Sequence, residues 1–161
     1  MSKSAPKQVD GRLEEANGIL HLWFPSPVLL RDSQSVAAFF DEVIEDWIDK
    51  AVGNVYLLVN YENLHIAAQV ADSYAANIKR FQPKLLGTFR YGIPGDFTGV
   101  AVSLGNLKLQ AQANLFPDAA TARVAIGQLR SRANTTTGVV TAEVPRVSVG
   151  EKNGAIPATR K

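Results

Sequence analysis

Between residues 33 and 51 apolar side chains recur at spacings of three and four: Val36, Phe39, Phe40, Val43, Ile44, Trp47, Ile48 and Ala51. That period gathers them into one stripe of an amphipathic helix. Asp41, Glu42, Glu45, Asp46 and Asp49 fall on the other face. Asp32 or Ser33 suits its N-terminal cap, and Gly53 is placed to end it. The pattern then changes. NVYLLVNY (residues 54–61) is a near-continuous apolar run of strand length, as expected for a strand covered on both faces. It leads into a second helical pattern, with Ile66, Val70, Tyr74, Ile78 and Phe81 forming the buried side and Pro83 limiting the end.

The rest of the chain repeats this alternation. GILHLWFP (residues 18–25) reads as a strand stopped by Pro25 and Pro27, and VLLRD (28–32) as a second short one. LLGTFRYGI (85–93) is a strand broken by Pro94 and Gly95. Residues 97–110 are ambiguous: Val100, Leu104, Leu107 and Leu109 fit a helix, while Gly99 and Gly105 weaken it. ANLFP is a short strand. From Asp118, a natural cap, a helix carries Ala122, Val124, Ala125, Ile126 and Leu129 inward. Strands alternating with helices predict an α/β fold, with a mixed, mainly parallel sheet and covering helices. The expected domain spans residues 17–132, between flexible tails at 1–16 and 133–161. Within the second tail, residues 138–149 have the composition of an added edge strand interrupted by Pro145, or of disordered chain.

The chain has 161 residues, 46% of them hydrophobic and 20% charged, enough for one soluble core. Its net charge of +2 does not mark a nucleic-acid binder. Residues 18–132 hold 10 basic and 10 acidic side chains, and the surplus sits in the last 29 residues, with four basic and two acidic. No basic stripe with interleaved aromatics is present. Cysteine is absent, which excludes disulfides, thiol chemistry and cysteine-based zinc sites. No apolar run approaches membrane-spanning length, and the first 18 residues lack the apolar core of a secretory signal. A cytoplasmic location is expected.

Candidate chemistry is sparse. His21 sits among strand residues, where packing is the ordinary role. His65 lies near Tyr61, Glu62 and Asn63 at the entry to the second helix. Two histidines without H-x-x-x-H spacing give no metal site, and no glycine-rich phosphate loop is present. The acidic residues at 41–49 read as a solvated helix face. The loop RYGIPGDF (90–97) follows the carboxyl end of a strand, where open α/β sheets place ligands. Arg90, Tyr91, Asp96 and Phe97 are its candidates for contact with an anion or a partner.

Three stretches carry a family resemblance: VYLLVNYENLHI, LLGTFRYG and ANLFPDAATARVAIGQLR. Together with the element order, they make residues 18–132 resemble the STAS domain. That module is shared by sulphate transporter tails and anti-sigma-factor antagonists, and the likeness is closest to the sporulation antagonists. The resemblance implies a regulatory or binding module rather than an enzyme, with no cofactor. In phosphorylated members an Asp-Ser pair lies where the central strand's loop enters a helix. A helix N-terminus suits phosphoserine there, because its free amides and dipole stabilise the anion. In this chain the pair falls on Ala68 and Gln69, and small shifts reach only Ala67 or Val70. None accepts phosphate, and Ser73 comes a turn later.

The expected function is therefore a non-catalytic regulatory module that contacts a protein partner through Asn63, His65, Ala68 and Gln69. The alternative is a carrier or sensor of a small molecule or lipid, with Phe39, Phe40, Trp47, Tyr74 and Phe97 as walls. A homodimer is left open.

Overall fold

A computed structural model describes residues 7–95, 98–108 and 113–138. It divides into two units, residues 1–124 and 125–161. All strands belong to the first. They are β1 (Asp10–Glu14), β2 (Ile19–Trp23), β3 (Val28–Leu30), β4 (Val55–Asn60), β5 (Leu64–Ile66), β6 (Leu85–Tyr91) and β7 (Leu115–Phe116). The helices are α1 (Ser33–Val43), α2 (Ala71–Ile78), α3 (Thr98–Lys108) and α4 (Ala119–Gly138). The main sheet runs β1-β2-β4-β6-β7, with β1 antiparallel and every other pair parallel; β3 and β5 form a separate parallel pair. This is the expected α/β class with a mixed, mostly parallel sheet.

β4 lies at the centre, and its register explains its continuous apolarity. Leu57 and Val59 stand beside Leu20 and Leu22 of β2 and Thr88 and Arg90 of β6. Tyr56 and Leu58 stand on the other face beside Ile19, His21, Gly87 and Phe89. All five residues Val55–Val59 are buried. Phe39, Phe40, Val43, Tyr74 and Ile78, from α1 and α2, join Leu57 and Val59 in the core. Asp32 caps α1 as expected: its carboxylate accepts from Ser35 N at 2.7 Å, and the Ser35 hydroxyl accepts from Asp32 N at 3.2 Å.

Several expectations are corrected. Residues 10–14, expected in a tail, form edge strand β1. Its side chains carry little apolar signal, so the ladder to β2 and the burial of Val9 hold it instead. Gly11 is required there, because a Cβ would lie 2.5 Å from Leu22 and 2.8 Å from the His21 carbonyl. The first amphipathic helix is not uniform. After Val43 it widens into a π-helical turn, Ile44–Ile48, with Asp49 N donating to Ile44 O at 2.8 Å. Ile66 belongs to β5 rather than the second helix, where three residues are too few to show a period. The ambiguous stretch at 97–110 forms helix α3 over Thr98–Lys108. Val100, Leu104 and Leu107 are exposed, while Thr98, Ala101, Val102 and Asn106 are buried. In α4, Ala122 and Ile126 are buried as expected, whereas Val124 and Leu129 are exposed. That helix continues to Gly138, past the boundary expected at 132. Residues 139–149 of the expected edge strand lie outside the described residues.

Candidate functional site

The chain leaving β4 builds the first candidate region. Tyr61 N donates to Tyr91 O at 2.8 Å, extending the β4–β6 ladder by one residue. Asn60 Oδ1 accepts from Glu62 N at 3.0 Å and turns the chain. Asn63 Nδ2 then donates to Phe24 O at 2.8 Å, and Asn63 O accepts from Val28 N at 2.8 Å. Asn63 is therefore a clamp between two loops. His65 is half-buried at the centre of β5, between buried Leu64 and Ile66.

After β5 comes a single 3-10 turn, Ala68–Val70, continuing directly into α2. Ala67 occupies its cap position and supplies no side-chain hydrogen bond. Ala68 and Gln69 are exposed, and Gln69 Nε2 reaches Arg31 O at 3.4 Å. The place where a phosphoacceptor was sought thus presents a methyl and an amide. Ser73 lies in the first turn of α2, and its hydroxyl is hydrogen-bonded to that of Ser33 at 2.9 Å. α3 packs against β5, the 3-10 turn and α2. Thr98 Oγ1, at its start, accepts from Ile66 N at 2.9 Å in the interior. One stretch of surface therefore combines exposed Ala68 and Gln69 with a helix whose outer stripe is Val100, Leu104 and Leu107.

The second region is the loop after β6. Arg90 does not present its charge to solvent; it is 1% exposed. Its alternation along β6 turns it to the face under α1 and α2. There Nε donates to Tyr61 Oη at 3.1 Å, and Nη1 donates to the Ala113 carbonyl. Tyr61 Oη is also 2.6 Å from Tyr74 Oη. Burial, first, and the adjacent Tyr74 raise the Tyr61 pKa, so its phenol stays protonated. These groups line a cavity of about 30 Å³ with Phe39, Phe40 and Thr88. Trp47 is not among its lining residues; it packs toward Gly11, and its buried indole N–H has no partner among the described residues. Asp96 and Phe97 lie outside the described residues.

Tyr91 faces the opposite side of the sheet. It joins a polar chain that the sequence did not reveal, because its members are far apart in the chain. Arg123, on α4, donates both Nη groups to the two Glu14 oxygens at 2.7 Å each. Its Nη2 also lies 3.5 Å from His21 Nδ1, and His21 Nε2 is 2.8 Å from Tyr91 Oη. The Arg123 hydrogen bond holds the Glu14 carboxyl well down, to a pKa of about 2. Burial, then the Arg123 charge, pushes His21 below its usual value. A neutral His21 therefore accepts at Nδ1 and donates from Nε2 to Tyr91.

An open cleft of about 460 Å³ lies at the carboxyl ends of β4, β6 and β7. Asn60, Glu62, Tyr91, Pro94 and Asp118 line it. Gly92 at its floor has φ +70°, and a Cβ there would fall 2.6 Å from Asn60 Oδ1. Among the described residues no group of acids and histidines is placed to hold a metal ion, and no helix is long and apolar enough to cross a membrane.

No family model matches the chain, and no curated protein matches it in sequence. Solved structures do match in fold. One is the murine Solute Carrier 26 family member A9 anion transporter in the inward-facing state, at a TM-score of 0.52 and 14% identity. The match covers 69% of this chain and 18% of that one. A second SLC26A9 structure matches with a TM-score of 0.49 and 9% identity, over 83% of this chain and 26% of that one. At 14% identity the first likeness concerns the fold alone, an α/β domain with a mixed, mostly parallel sheet, consistent with a STAS-like fold. It does not extend to the expected relation with anti-sigma-factor antagonists.

Proposed function

We propose that this chain is a non-catalytic STAS-like module that regulates a protein partner by direct contact, through the surface built by Ala68, Gln69 and the outer face of α3. The observation that carries this reading is the exposure of Val100, Leu104 and Leu107 on a helix packed against that turn. Three large apolar side chains at helical spacing, left in water, are the composition of a contact surface. The absence of a hydroxyl at Ala67–Val70 supports a partner surface that phosphate does not switch. Asn63 and His65 support it from behind, as the clamp and strand that fix the turn.

A carrier of small molecules is the second reading, and the cleft lined by Asn60, Glu62 and Tyr91 favours it. The interior cavity does not, since about 30 Å³ admits neither a lipid chain nor an organic ligand. The relation to anti-sigma-factor antagonists and a cytoplasmic setting remain part of this proposal.

The test is affinity capture from the source organism with wild type and Gln69→Glu side by side. The partner should be recovered with wild type and lost or weakened at least tenfold with the variant, whose thermal midpoint is unchanged. Equal recovery by both would move the interface elsewhere. A co-purifying small molecule with no protein would favour the second reading.

A further inference from the structure

The open cleft at the carboxyl ends of β4, β6 and β7, about 460 Å³, has the volume of a small-molecule site. Its walls are held from outside it. Asn60 is fixed by the Glu62 N–H at 3.0 Å, and Tyr91 by His21 Nε2 at 2.8 Å. Through His21 the Tyr91 wall is tied on to Arg123 and Glu14. The charged side chains lining the cleft are Glu62 and Asp118, and no lysine, arginine or histidine lines it. Asp118 Oδ1 accepts from the Thr121 N–H and hydroxyl at 2.8 Å each, and these bonds lower its pKa and keep it ionised. Glu62 is exposed, and among the described residues no cation pairs with it. Burial first, opposed by Arg123 and aided by the Glu62 charge, raises the Tyr91 pKa, so the phenol near that carboxylate stays neutral. Ile93, Pro94 and Pro117 complete the cleft with apolar surface.

We propose that this cleft binds a small organic cation, a protonated amine with an apolar body, whose charge meets Glu62 and Asp118 and whose body lies on Ile93, Pro94 and Pro117. Two carboxylates with no cation among the lining residues attract a positive ligand and repel an anion of the same shape. The ligand class rests on the second reading above, in which the cleft is a small-molecule site. The partner surface at Ala68 and α3 is separate from it.

The experiment uses the full chain, isotope-labelled, with backbone amide shifts followed by NMR at pH 7.5 and constant ionic strength. Three probes share one ring and differ in charge: benzylamine, benzyl alcohol and sodium benzoate. Benzylamine should shift the amides of Glu62, Gly92 and Ala119 along a saturating curve. Benzyl alcohol should bind there at least about fivefold more weakly, the size of an exposed ion pair, and benzoate should not bind. Glu62→Gln should weaken benzylamine about threefold to fivefold and leave benzyl alcohol and the thermal midpoint unchanged. Binding of benzyl alcohol or benzoate as tight as that of benzylamine would overturn the cationic ligand and leave a small-molecule cleft standing. No saturable shift at these amides with any of the three would overturn the ligand and the second reading together.

Discussion

Histidine 21 gains its proton at a cost that the fold sets. Its Nδ1 faces the Arg123 guanidinium, Glu14 and Arg12 approach from β1, and Tyr91 approaches from β6. Burial and Arg123 depress its pKa below 6.5 in the folded state. The unfolded chain therefore binds the proton first, and stability falls as pH drops through about 6.5. Glu14, lowered to about 2, adds a second loss as pH falls below 4.5. The urea midpoint should be flat above pH 7 and decline below it. His21→Gln should remove the decline between pH 7 and 5.5 and keep the more acidic one. An unaltered profile in that variant would contradict the polar chain. Trp47 also changes standing at this scale. It is only half-buried, with an indole N–H that has no partner among the described residues, so Trp47→Ala should cost less than the roughly 3–5 kcal/mol of a fully buried ring. Chemical denaturation measures this directly. At Gly92, φ +70° and the Asn60 contact make Gly92→Ala destabilising by about 1–3 kcal/mol.

Elements with a clear apolar pattern were legible in the sequence: α1, β4, β6 and the core of α2. α1 and α2 bury one stripe, which writes the helical period, while β4 is buried on both faces and reads as a continuous apolar run. Elements held by other means were hidden. β1 rests on ladder hydrogen bonds and a close approach at Gly11, neither of which leaves an apolar pattern. β5 is too short to have a period. The π-helical turn was invisible because the apolar spacing of Val43, Ile44, Trp47 and Ile48 fits an ordinary helix equally well. α3 was ambiguous in the sequence, because Gly99 and Gly105 weaken the helical pattern and its large apolar residues are not the ones that burial selects. Small Ala101 and Val102 pack inward instead, and the large residues are left outside. This exposed stripe gives an element-scale prediction. Leu104→Lys and Leu107→Lys should each change the thermal midpoint by no more than about 2 °C, since they remove little buried area. Each should still weaken partner binding. A large loss of stability would show that the stripe is covered within this chain.

For the whole molecule, strand–helix alternation gave the α/β class and the mainly parallel sheet, because crossover connections admit few other topologies. The candidate site was legible only in part. Ala68 and Gln69 stand exposed at the entry to α2, where the resemblance to STAS domains put them. Arg90 was expected at the surface and lies in the core, since strand alternation, invisible for a single charge, decides which face it joins. The Glu14–Arg123–His21–Tyr91 chain draws on four elements, and no local pattern announces such a set. Site-specific photo-crosslinking from Ala68 in the source organism tests the interaction surface most directly. A discrete protein adduct should form from Ala68, be abolished by Leu104→Lys and survive Val52→Lys at a position 93% exposed. No adduct from Ala68, or one indifferent to Leu104→Lys, would contradict it.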